Sequence, residues 1–192
     1  VQPRRGDLYG YGVISPRMGR MNWFKNNRIV IPIITILAGY IIVALFFSIV
    51  LKYNFLQSDV QSYWQDSLNW QAPFHSFHVP GYPLLIALLR GISLNALSPL
   101  AIMWVINLTA FSISFFLIYK IILTFSQKAE VAILGAMLFG LWPLVGLTYT
   151  VIPLADLLAI CFFLLGLYYL LRTKLLPAGV FFGLSMITHK AI

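Results

Sequence analysis

Apolar runs dominate this chain, at 29–51, 82–97, 99–119, 129–150, 153–171 and 175–189, and from residue 82 onward only short polar breaks separate them. A water-soluble fold would have to bury nearly all of that surface and clothe it with polar side chains, and the chain has too few. Only 9% of its residues are charged and 60% are hydrophobic, whereas a soluble domain carries about 25% charged residues. The apolar faces must therefore meet lipid, where the backbone satisfies its own hydrogen bonds only within helices or closed barrels. Runs of this length predict helices. The expected fold is all-α, a polytopic transmembrane helical bundle.

Crossing a bilayer core of about 30 Å takes roughly 20 residues. The run 82–97 is short and carries Arg90 near its middle, and the topology turns on it. If it crosses, with the basic N-terminus inside, then Lys120, Lys128, Arg172 and Lys174 all fall outside. If it lies along the interface, the same four join Lys25 and Arg28 inside, as the enrichment of bases in cytoplasmic loops requires. Arg90 then reaches the headgroups and avoids a mid-membrane cost of roughly 2.5–3.5 kcal/mol. The expected spans are 29–51, 99–119, 129–150, 153–171 and 175–190, in a transmembrane domain covering 21–192. The loop 52–98 then lies on the periplasmic, extracellular or ER-lumenal face and the N-terminus in the cytoplasm. The net charge of +8 reports orientation, and no nucleic-acid partner is expected.

Residues 1–20 are rich in Gly, Pro and Arg without hydrophobic period and are expected to be a disordered tail. The run 29–51 is too long for the apolar part of a cleaved leader and predicts an uncleaved first span. Beginning at Val1 and stopping at Ile192 after an apolar run, the chain is expected to be a fragment, truncated at its C-terminus and inactive alone, with Met18 or Met21 as a natural start. Cys161 is the single cysteine, which excludes an internal disulfide and a Cys-rich metal site.

The outer loop concentrates the polar chemistry. Asp59, Asp66 and Asp156 fall on the outer face of this map, as do His75, His78, His189 and Lys190; ionisable groups gathered on a lipid-embedded bundle point to function. Ser58 to Gln61 reads as a capping box, S-x-x-Q, that puts Asp59 in the first position of an amphipathic helix, where the dipole favours its ionised form. Helical spacing sets Asp59, Tyr63, Asp66 and Trp70 on one face and Val60, Trp64 and Leu68 on the other, the latter suited to the membrane surface. Asp59 and Asp66 sit about 10 Å apart along such a helix, wider than the roughly 6.5–9.5 Å of inverting glycosidases. Local sequence alone favours a plainer reading, a helix-start acid on a solvated loop. Pro80-Gly81 suits a type II turn, with Pro83 opening an interfacial helix that pairs with the amphipathic one. His75 and His78 lack a third ligand nearby, so no metal site is expected. Pro153 and Pro177 fall where a first helical turn tolerates proline, and Asp156 follows as a helix-start acid. Lys190 also reads simply as a snorkelling base.

The order of these motifs resembles the N-terminal part of the GT-C glycosyltransferases, polytopic enzymes that take sugars from polyprenyl- or dolichyl-phosphate donors and include mannosyl- and aminoarabinose transferases. The resemblance runs from Met21 to Ile192. It rests on Ser58 to Trp64 after the first span, His78-Val79-Pro80-Gly81-Tyr82-Pro83-Leu84-Leu85 closing the loop, Pro153 to Leu158 opening a later span, and Ala178 to Ser185. It implies that Asp59 is the base that deprotonates the acceptor as it attacks the anomeric carbon, with inversion and departure of polyprenyl phosphate. His78, Tyr82 and Lys190 would hold the donor phosphate and headgroup, with Tyr63, Asp66, His75 and Asp156 in support. Here His78-Val79 stands where many relatives have a basic residue, and no Arg precedes Asp156. No cofactor is assured, metal dependence is open, and the partners implied are a lipid-linked sugar and membrane lipids. Two other classes compete: a transporter or flippase, which calls for charges at mid-membrane in matching halves, and a non-catalytic subunit docking a partner through Trp64, Trp70 and Phe74.

Overall fold

The computed structural model describes residues 27–46, 59–68, 80–94, 96–142 and 152–189. They form seven helices and no strand: α1 (Asn27–Leu45), α2 (Asp59–Leu68), α3 (Gly81–Ile92), α4 (Pro99–Ser126), α5 (Ala129–Leu141), α6 (Ala155–Leu170) and α7 (Leu175–Thr188). The fold of these residues is all-α, as the length of the apolar runs leads one to expect. The tail 1–20, the Ser58 cap, Trp70, Phe74, His75, His78 and Lys190 lie outside the described residues.

α4 is the axis of the bundle. Ser98 caps it, its Oγ accepting from the Ala101 amide at 3.3 Å, and Pro99 occupies the first position, where its missing amide hydrogen costs nothing. The expected crossing ended at residue 119, yet the helix continues through Lys120 to Ser126. Nothing in that stretch breaks a helix until Gln127 turns left-handed at φ 55°. Its 28 residues span about 42 Å, and among the described residues α4 alone is long and apolar enough to cross a membrane. α5, α6 and α7 are apolar but shorter, with 13, 16 and 14 residues.

Small residues let these helices approach closely. α5 returns antiparallel along α4, with Gly135 against Ile122 and Gly140 against Phe115. α6 runs parallel to α4, and α7 packs antiparallel on α6: Gly166 lies under the Phe182 ring, Tyr169 stacks on Phe181 at 5.5 Å, and the Ser185 hydroxyl donates to the Ala159 carbonyl at 2.9 Å. α1 leans on α4 and α5, where the Tyr40 ring meets Phe111 edge-on and its hydroxyl donates to the Gly140 carbonyl. Phe111, Phe115, Ile102, Met103 and Leu157 fill the centre. The outer faces stay apolar and uncovered: Val131, Leu134, Leu138 and Leu141 form an exposed helical stripe on α5, and Leu176 on α7 is 82% exposed.

Charge is largely segregated along the bundle, although Arg90 sits on α3. Lys120, Lys128, Arg172 and Lys174 belong to the end where α4 and α6 finish and α5 and α7 begin, and Lys120 and Arg172 are close enough to repel. Asp59, Asp66 and Asp156 belong to the other end, with α2, α3 and the start of α6; Glu130 is the one acid among the described residues at the basic end.

Three local expectations are corrected. Pro80 has φ −67° and ψ −19°, a helical conformation and not the first centre of a type II turn, so α3 starts at Gly81, ahead of Pro83. Glycine is needed there for proximity: a Cβ on Gly81 would stand 2.5 Å from the Ile187 carbonyl oxygen of α7. Pro153 is buried in a turn before α6, which starts at Ala155. In α2, Val60, Tyr63 and Ser67 are buried while Leu68 is exposed; the covered face runs from Val60 through Tyr63, which packs on Tyr82 of α3, to Ser67, and not along Val60, Trp64 and Leu68.

Gly81→Ala is expected to lower the melting temperature of the detergent-solubilised protein, at a cost of about 1–3 kcal/mol for overpacking against backbone. Gly91→Ala, with nothing within 4 Å of the added Cβ, should leave melting unchanged or raise it by up to about 1 kcal/mol through helix propensity.

Candidate functional site

Tyr63 stands at the centre of the acid-bearing end. Its ring meets that of Tyr82 edge-on, centroids 5.1 Å apart, a geometry in which the positive edge of one ring faces the negative face of the other. Burial pushes the Tyr63 phenol up to about 12, and the negative charges of Asp156, Asp59 and Asp66 add to the effect; both influences disfavour a phenolate. Carboxylates from α2 and α6 thus act on a single side chain.

Behind Tyr63 lies a buried polar link. Tyr82 and Asn107 are both 0% exposed. The Tyr82 hydroxyl donates to Asn107 Oδ1 at 2.8 Å, and Asn107 Nδ2 donates to the Leu154 carbonyl at 2.9 Å. Groups so deeply buried are costly unless bonded, and here each satisfies the next. Leu154 immediately precedes α6, so the link fixes where Asp156 emerges. Full burial raises the Tyr82 phenol well above its ordinary value, with Tyr63 adding to it. The hydroxyl expected to meet a donor phosphate is instead enclosed and committed to Asn107, because the Gly81 approach to α7 draws α3 into the bundle. Tyr82 positions the site and does not face solvent.

At the rim, His189 Nε2 lies 3.4 Å from Asp156 Oδ1, with about a quarter of each side chain exposed. The antiparallel α6–α7 hairpin makes this contact, setting the first turn of one helix beside the end of the other. The contact sets an imidazole against a carboxylate at the rim of the acid cluster. Asp59 opens α2 and is exposed. Among the described residues no three His, Cys, Asp or Glu side chains form a metal-binding group.

Of the residues singled out from the sequence, Asp59, Tyr63, Asp66 and Asp156 come together, Tyr82 supports them from behind, and His75, His78 and Lys190 lie outside the described residues. Sequence reasoning missed Asn107. Its signal was a carboxamide set in the longest apolar helix. The pairing of His189 with Asp156 was legible only once the two spans were recognised as an antiparallel hairpin. Comparison of the chain with protein-family models, with curated proteins and with solved structures finds no match.

Asn107→Leu should destabilise the folded protein by about 1–3 kcal/mol for each partner left unbonded, the Tyr82 hydroxyl and the Leu154 carbonyl. Combined with Tyr82→Phe the loss should be less than additive, read by denaturant unfolding in detergent. The Tyr63 phenol, raised in the folded state, contributes stability that is fully present below its ordinary value of 10 and is lost as pH rises toward about 12. Ultraviolet titration of the wild type minus Tyr63→Phe should therefore show one phenol ionising well above pH 10.

Proposed function

We propose that this chain is the membrane-embedded part of a glycosyltransferase that moves a sugar from a polyprenyl-phosphate donor to an acceptor at the outer membrane face. The observation that carries the reading is the convergence of Asp59, Asp66 and Asp156 on Tyr63 at one end of an apolar bundle, with Lys120, Lys128, Arg172 and Lys174 at the other end. The uncovered stripes on α1, α5 and α7 support a lipid surround, since a water-soluble monomer seldom exposes apolar patches beyond a few hundred Å². Read with positive charge inside, α1, α4, α5, α6 and α7 are the five crossings and α2 and α3 lie at the outer boundary, where a lipid-linked sugar is displayed.

In this reading Asp59 is the general base. It is exposed at the start of α2, so it can take the proton of an acceptor hydroxyl as that oxygen attacks the anomeric carbon. The bond to the phosphate oxygen breaks as the new glycosidic bond forms, and a single displacement inverts the configuration. The leaving phosphate needs a hydrogen-bond donor. Of the residues first considered for it, His78 and Lys190 remain candidates on sequence grounds, while His189, oriented by Asp156, takes the place of Tyr82.

The test expresses the complete reading frame, reconstitutes it in lipid and measures release of polyprenyl phosphate from a radiolabelled polyprenyl-phosphate sugar. Asp59→Asn should cut release at least about 10²-fold, the usual scale of general-base catalysis, without changing melting. A docking subunit would release nothing in either form and would tolerate the change.

A further inference from the structure

A recess lies between α2, α3 and the start of α4, and no residue of the acid cluster lines it. Trp64 and Leu68 of α2, Arg90 of α3, and Leu97, Ser98 and Pro99 at the start of α4 line an open recess of about 480 Å³. The Arg90 guanidinium lies 5.8 Å from the centroid of the Trp64 ring. Stacking on an aromatic face orients an arginine but leaves its charge unneutralised. The N-terminus of the 28-residue α4 adds its positive dipole end to the same wall. The remaining walls are largely apolar, and the adjoining turn exposes Ile92 by 70% and Leu94 by 85%. One fixed cation inside apolar walls, with an apolar rim, suits an anion carried on a hydrocarbon chain better than a free ion.

We propose that this cavity binds the phosphate of an anionic glycerophospholipid from the outer leaflet, with Arg90 as its charged ligand and an acyl chain along Leu68, Ile92, Leu94 and Leu97. The lipid would wedge α2 and α3 against α4 and so hold the loop helices at the membrane surface. The proposal rests on α3 lying at the membrane boundary, but not on the chemistry assigned to Asp59.

The experiment counts lipids retained by the detergent-solubilised chain in native mass spectrometry, titrating phosphatidylglycerol against phosphatidylcholine of the same chains. The wild type should hold one phosphatidylglycerol in preference. Arg90→Gln should weaken that binding roughly tenfold, the worth of one charge-assisted contact, and Arg90→Lys should restore part of it. Ala96→Phe, at a second lining residue, should weaken both lipids by filling the cavity. Asp59→Asn should bind as the wild type does, so failed catalysis and failed lipid binding are separable. Equal retention of the two lipids by the wild type, or an Arg90→Gln variant that keeps the preference, would overturn the proposal. So would displacement of the lipid by millimolar inorganic phosphate, which would make this a soluble-anion site. Displacement by polyprenyl phosphate at lower concentration than phosphatidylglycerol would give the cavity to the donor, and overturn it too.

Discussion

Asn107 lies on the longest apolar helix with no access to water, so its carboxamide must find partners inside the protein. It accepts from Tyr82 on α3 and donates to the carbonyl just ahead of α6. One side chain therefore sets the position of a loop helix and of a bundle helix. Apolar contacts along α4 hold the bundle together but tolerate small slides and rotations, because dispersion is non-directional. The directional bonds of Asn107 remove that freedom at one end. Tyr63 packs on Tyr82, and Asp156 begins two residues after Leu154, so the acid cluster inherits its geometry from this buried amide.

The opposite end of the molecule follows different physics. Lys120 rests over the rings of Phe116 and Tyr119, at 5.1 Å and 5.8 Å from their centroids, and Arg172 lies over Tyr168 at 4.4 Å. Aromatic rings beside bases are what a helix presents at a lipid–water boundary. Lys120 stands 21 residues after Pro99 (120 − 99), which corresponds to about 31 Å along a helix, close to the roughly 30 Å of a hydrocarbon core. The helix extends beyond Lys120 because water, as well as lipid, accommodates a regular helix until Gln127 ends it.

The length of the apolar runs was enough to read the all-α class of the described residues and the approximate place of every described helix except α2. The start of α2 at Asp59 was legible through its capping pattern, and the gathering of acids at one end followed from charge and connectivity. What escaped was tertiary. Pro80-Gly81 looks like a turn in isolation, and only the approach of α7 explains why a glycine is required inside α3. The inward face of α2 is not legible because α3, not a membrane surface, covers it. Asn107 is a single polar residue in an apolar stretch, and only the fold shows which partners its buried amide finds.

The central claim is that the end holding Asp59 faces out of the cell or into the lumen while the end holding Lys128 faces the cytoplasm. Single cysteines at Gln61 and at Lys128, both exposed, in a Cys161→Ala background, report it directly through a membrane-impermeant maleimide applied to intact cells or sealed vesicles of known orientation. The account predicts labelling of Gln61→Cys from the outer or lumenal side, and of Lys128→Cys only after the membrane is opened. The reverse pattern, or equal labelling of both from one side, would contradict it.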